Sequence, residues 1–74
     1  MSKETHLKAL GARIRDLRKA RGMTQEELAE RAGLHSRYIS RIELGGANFG
    51  VSVLFQIARG LGSTPSELLA GLNS

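Results

Sequence analysis

Apolar residues recur at steps of three and four along most of the chain. Leu7, Leu10, Ile14 and Leu17 form one stripe of a 3.6-residue helix from about Glu4 to Arg21. Gly22 stands where a C′ residue belongs and apolar Met23 follows it, which fits a Schellman-type stop. Thr24, with Glu27 three residues on, makes a capping box that opens a second helix of two turns, with Leu28, Ala29 and Ala32 facing inward. Gly33 ends that helix, again with an apolar residue beyond it, Leu34. A third helix from about Ser36 to Leu44 buries Ile39 and Ile42 and stops at Gly45 and Gly46. Residues 47–50 read as a loop. A fourth helix, from about Val51 to Leu61, carries Leu54, Ile57, Ala58 and Leu61 on one face and closes at Gly62. Thr64 then caps a fifth, with Pro65 at its first position, Glu67 completing another capping box, and Leu68, Leu69 and Leu72 as its apolar side. No stretch alternates as a strand does, and no repeat or low-complexity tract interrupts the pattern. The prediction is an all-α fold, a compact bundle of five short helices in one domain spanning residues 1–74. Gly11 lowers the helix propensity of the first helix; a close approach by a neighbouring helix would account for it.

Length and composition narrow the function classes. Seventy-four residues lie near the lower limit for a core that holds without staples. The absence of cysteine excludes disulfides and thiolate zinc sites. The two histidines, His6 and His35, have no carboxylate at ligand spacing, so neither a metal nor a cofactor is expected. No apolar run approaches the roughly 20 residues of a membrane span, and the start lacks a signal-peptide core. A soluble, cytoplasmic protein is expected, without a membrane partner or a small-molecule ligand. No nucleophile triad, glycine-rich phosphate loop or metal cluster supports an enzyme. Thr24, Gln25, Glu26 and Glu27 are accounted for by helix capping.

Charge placement says more than its total. Residues 1–43 hold ten basic and six acidic side chains, 10 − 6 = +4, whereas residues 44–74 hold only Arg59 and Glu67, 1 − 1 = 0. The whole net charge of +4 therefore lies in the first part of the chain. That asymmetry favours a polyanionic partner and diffusional steering toward it, although an ordinary solvated basic surface would look the same.

The stretch from about residue 24 to 44 concentrates this signal. Two short helices cross steeply at a turn only where the contact residues are small or well placed; Ala29 allows close approach, and Gly33 supplies the positive φ the turn needs. Leu28, Ala32, Leu34, Ile39 and Ile42 make the inner wedge. A generic helical hairpin would satisfy that wedge equally well; the outer face of the third helix distinguishes the two. It carries Ser36, Arg37, Ser40 and Arg41. Arg37 and Arg41, one turn apart, have the reach to grip guanine O6 and N7, and the two serines are short enough to let the backbone approach. Each arginine stands equally for a base contact or a phosphate contact. Gln25, at the start of the second helix, is placed for a phosphate where that helix would cross the DNA backbone. This is the build of a helix-turn-helix reader of double-stranded DNA.

The stretch RIRDLRKARGMTQEELAERAGLHSRYISRIELGGAN, continuing to LFQIARGLGSTPSELL, resembles the lambda-repressor-like (Cro/Xre-type) family of bacterial and phage regulators. The likeness covers roughly residues 10 to 70, with MTQEELA, the AGL turn, YISRIE, IARGLG and PSELL in register. The short form with this third helix is similar to the controller proteins of restriction–modification systems. The resemblance implies a sequence-specific transcriptional regulator. It places Gln25 on a phosphate, puts Ser36, Arg37 and Arg41 at base-reading positions with Ser40 beside them, and makes Arg18 and Glu43 an internal ion pair. Asn48 fits the family's loop pattern as a phosphate contact, but the loop GGANFG lacks the basic residues often found there. His35 stands where a better N-cap is usual, so the cap is expected to shift to Ser36, leaving His35 exposed or touching phosphate when protonated.

One recognition helix reads too few base pairs to single out a genomic site. A homodimer on a palindromic operator is therefore expected, with its interface in the uncharged region of about residues 49–74. Phe49, Val51, Phe55, Leu69 and Leu72 are the candidates, more apolar groups than so small a bundle needs to bury. RNA polymerase stands as a further candidate partner at a promoter, the regulator's own included. The competing reading is an antitoxin-like interaction module that occludes another protein through its C-terminal helices.

Overall fold

The computed structural model describes residues 3–70 and residue 72. Each apolar stripe winds into a helix: α1 spans Lys3–Ala20, α2 Gln25–Ala32, α3 Ser36–Glu43, α4 Val51–Leu61 and α5 Pro65–Leu69. There is no strand among the described residues. The bounds follow the caps that the sequence marks. The Thr24 hydroxyl accepts from Glu27 N–H at 3.0 Å, and the Glu27 carboxylate accepts from Thr24 N–H at 2.9 Å, closing the box at the start of α2. The Thr24 backbone N–H first, and the nearness of its hydroxyl to the carboxylate second, hold the Glu27 carboxyl below the ordinary carboxylate range, because donors at that oxygen favour its charged form.

The second predicted box closes differently. Thr64 does cap α5, its hydroxyl accepting from Glu67 N–H at 3.2 Å. The Glu67 carboxylate, however, takes the Ser63 hydroxyl at 2.6 Å, and that bond is the largest cause of its lowered pKa, ahead of the Thr64 backbone. Ser63 lies one residue before the cap, and its O–H outcompetes the N–H that a capping box would use.

Every helix contributes to one core. Ile14 of α1, Leu28 of α2, Ile39 and Ile42 of α3, Ile57 of α4 and Leu68 of α5 are all fully buried, each worth about 1.5–3 kcal/mol of burial. Leu7, Leu17 and Leu54 lie half-buried at its margin. Two helical glycines set how closely the helices approach. A Cβ on Gly11 would run into the carbonyl oxygens of Ile42 and Glu43 at the end of α3, so the close approach expected from its position is real. On Gly60 of α4, a Cβ would lie 3.0 Å from Leu28 Cδ1 and 3.1 Å from Ala32 N, with α2 as the neighbour. The helix-turn-helix is thus clasped from two sides: α1 presses on α3, and α4 presses on α2. Gln56 of α4 adds a bond from its amide N–H to the Ala32 carbonyl at 3.1 Å, satisfying a helix-end acceptor just before the turn. Arg13 of α1 reaches α5, donating from Nε to the Glu67 carbonyl at 3.2 Å.

Candidate nucleic-acid interface

The turn between α2 and α3 rests on Gly33, whose φ of 72° lies in the left-handed region. That conformation lets Leu34 N–H reach back to the Ala29 carbonyl at 2.9 Å, tying the turn to the helix it leaves. Leu34 then packs against the core. The chain re-enters a helix at His35, which has extended φ and ψ and no side-chain cap bond. The cap therefore does not shift to Ser36. Ser36 is the first helical residue, and the His35 carbonyl accepts from Ile39 N–H at 3.1 Å. Extended backbone at position 35 is enough to start the helix once Ile39 and Ile42 are buried, and the Ser36 hydroxyl is left free of capping.

Beneath α3 lies a buried polar network. Arg18 Nε donates to Glu43 Oε2 at 2.7 Å and Arg18 Nη2 donates to Glu43 Oε1 at 3.0 Å, a bidentate pair between α1 and α3. The third donor, Nη1, reaches the Met23 carbonyl at 2.7 Å, in the link to α2. Both residues are under a tenth exposed, and no buried side-chain polar atom lacks a partner among the described residues. Hydrogen bonding to Glu43 raises the Arg18 pKa above its ordinary value against the opposing effect of burial. Gln25 joins the same carboxylate, donating from Nε2 to Glu43 Oε1 at 3.1 Å. A primary amide has two N–H donors, so this bond fixes the side chain and leaves the second N–H for a ligand.

The four residues assigned to the outer face of α3 do not stay together. Ser36, Arg37 and Arg41 line an open concavity of about 430 Å³ with His35 and Tyr38. Ser40 turns instead toward a second cleft of about 250 Å³ that it shares with Gln25, Glu43, Leu44 and the α1 residues Arg15, Arg18 and Lys19. Arg37 and Arg41 are exposed, while Ser36 and Ser40 are half-buried. Neither arginine side chain has a hydrogen-bond or ion-pair partner among the described residues. Asn48 is exposed in the loop after α3, which buried Ala47 anchors.

The apolar residues assigned to a second surface divide as well. Val51 and Phe55, one turn apart on α4, are 69% and 57% exposed, and Leu69 is also exposed. Phe49 and Leu72 are half-buried and packed against the core, so each completes the bundle as well as reaching its surface. Leu72 and Leu69 border a further groove with His6, Leu7 and Leu10.

Sequence reasoning passed over Tyr38, Arg15, Lys19 and Leu44. Tyr38 packs partly against the core, and its hydroxyl-bearing ring also lines the concavity beside Arg37. Arg15 and Lys19 carry a signal in their four-residue spacing around Arg18, which becomes readable once Arg18 is known to point inward. Leu44, 72% exposed, gave no signal, since nothing local distinguishes it from a core leucine.

Comparison with known proteins agrees with this geometry. The family model described as helix-turn-helix matches residues 14–68. An HTH-type transcriptional regulator of Sinorhizobium fredii, y4dJ, is 37% identical over 62 residues, covering 84% of this chain and 80% of its own. The control protein C.BamHI of Bacillus amyloliquefaciens is 38% identical over 60 residues, covering 80% of this chain and 74% of its own. Among solved structures, the restriction–modification controller protein C.AhdI of Aeromonas hydrophila superposes with a TM-score of 0.82 at 37% identity, covering 84% of this chain and 94% of its own. The chain belongs to the helix-turn-helix family of DNA-binding transcriptional regulators and is similar to restriction–modification controller proteins.

Proposed function

We propose that this member of the helix-turn-helix family binds a palindromic operator as a homodimer, with α3 of each copy in the major groove. The observation that carries the reading is the exposed pair Arg37 and Arg41, free of protein partners on a helix held rigidly by the buried Arg18–Glu43 pair. A guanidinium that spends no donors on its own protein keeps all of them for guanine edges or phosphates. Ser36 lies beside them for base contact, and Ser40 contacts the groove from its other side. Gln25, with its free N–H, and Asn48 and His35, both exposed, hold phosphates. The exposed apolar groups Val51, Phe55 and Leu69, with Phe49 and Leu72 at their margin, supply the dimer surface of residues 49–74. Two reader helices about 34 Å apart would then meet successive turns of the groove. The similarity to controllers named for restriction–modification systems supports the same role here, in the cytoplasm, with RNA polymerase as the machinery recruited or excluded at the promoter.

Selection of bound sequences from random duplex DNA tests this. Enrichment of a two-fold symmetric motif is expected. Arg37→Ala and Arg41→Ala should each relax preference at symmetric positions, with a loss of about 1–3 kcal/mol per position read. Binding that stays uniform across sequences would overturn specific recognition, and recovery of the chain only in a stable heterocomplex would favour an interaction module instead.

A further inference from the structure

We propose that the cleft between α1 and α3 is a sugar–phosphate seat in which Arg15 and Lys19 grip the DNA backbone; this rests on α3 lying in the groove as described above. The arginine at the centre of the cleft cannot serve that purpose. Arg18 is buried and its charge is cancelled by the bidentate Glu43. Arg15 and Lys19 flank it one turn apart on α1, both exposed and both without an ion-pair partner among the described residues. They therefore carry the net positive charge of the cleft. Gln25, held in place by Glu43, and Ser40 supply neutral donors on the far side.

The remaining wall is apolar. Leu44 is the most exposed large hydrophobic residue described, and its side chain lines this cleft. A nucleotide unit of the backbone has the same two-sided chemistry, an oxyanion beside an uncharged deoxyribose. Cations and amide N–H groups suit the first, and a leucine side chain suits the second. An apolar protein partner would leave Arg15 and Lys19 desolvated and unpaired, whereas a polyanion satisfies both.

The sequence supplies an independent reason for a grip at this place. Between Arg41 and Arg59 there is no lysine or arginine, so the loop after α3 has no charge with which to hold the backbone. α1 is the element that brings cations to that flank of the reader.

The test is the salt dependence of binding by the full chain to its selected operator, compared among wild type, Arg15→Ala, Lys19→Ala and Arg31→Ala. Arg31 is exposed on α2 and lines neither cleft, so its substitution changes net charge equally without touching the seat. Each phosphate contact contributes about 0.9 to the slope of log K against log salt. Arg15→Ala and Lys19→Ala should each lower the slope by about 1.8 in a dimer, from about 0.9 per copy, while melting temperature and selected sequence stay unchanged. A slope equal to that of wild type or of Arg31→Ala would overturn the seat. A shifted sequence motif would also overturn it, because it would make these residues base readers. The two proposals fail separately: non-specific binding whose slope still falls in Arg15→Ala would retain the seat and remove the reader, and specific binding with an unaltered slope would do the reverse.

Discussion

The two ends of this chain bury the same kind of apolar residue and present opposite outer surfaces. Around a shared core, residues 3–44 hold a buried ion pair and expose cations; residues 47–70 and 72 hold no ion pair among the described residues and expose Val51, Phe55 and Leu69. On the proposed function, the difference follows from what each outer surface would meet. A helix that presents free arginines to a polyanion cannot use those arginines to hold itself in place, so its support comes from below, through Arg18, Glu43 and the Gly11 contact. A surface proposed to pair with its own copy would need no such reserve, and Val51, Phe55 and Leu69 are exposed in the single chain.

The largest expected effect breaks the support of the first region. Glu43→Ala strands the Arg18 guanidinium in a buried site and releases Gln25; removing one partner of a buried pair costs about 3–5 kcal/mol. Urea denaturation should show that loss, together with weaker operator binding. Unchanged stability and affinity would mean that the pair neither supports α3 nor orients it.

Next in size is a comparison of the two glycines that clasp the helix-turn-helix. Alanine in a helix gains about 1 kcal/mol over glycine. At Gly11 the new Cβ meets backbone carbonyls that cannot move without shifting α3, and overpacking of this kind typically costs about 1–3 kcal/mol. At Gly60 the contacts are longer, 3.0 Å to Leu28 Cδ1, 3.1 Å to Ala32 N and 3.2 Å to Ala32 Cβ, so an adjustment of a few tenths of an ångström between α4 and α2 relieves them. Thermal denaturation should therefore find Gly11→Ala destabilised and Gly60→Ala near wild type. The reverse order would show that α4 is the stiffer clasp.

The smallest effect on stability, with the clearest effect on assembly, comes from Phe55→Asp. As a surface substitution it should change the stability of the isolated protomer by less than about 0.5 kcal/mol, while sedimentation shifts from dimer to monomer and steep operator occupancy is lost. A variant that remains dimeric would move the interface away from α4.

Local structure was legible because its causes are local. Thr24 with Glu27 caps α2, and the C′ glycines Gly22, Gly33 and Gly62 adopt positive φ, through bonds that span at most five residues. The α5 cap shows the limit of such reasoning: the motif Thr64–Glu67 is present, but a neighbouring hydroxyl takes the carboxylate. The reading face was half legible. Helical spacing places Arg37 and Arg41 outside, yet spacing alone could not separate Ser40 from Ser36, because the side to which each turns is set by α1 and α2. Arg18 was assigned to an ion pair only through resemblance to the family, although its place four residues after Ile14 sets it at the edge of the apolar stripe, away from Arg15 and Lys19.

The sequence by itself determined five helices, the capping box of α2 and the glycine stops, and a charged region followed by a neutral one, because propensity, periodicity and charge belong to residues close along the chain. Only the tertiary structure decided which arginine is cancelled and which are free, what Gly11 makes room for, and that Gln25 is tied to Glu43. Those outcomes depend on groups 18 to 32 residues apart meeting in one core, where burial turns similar cations into different chemistry.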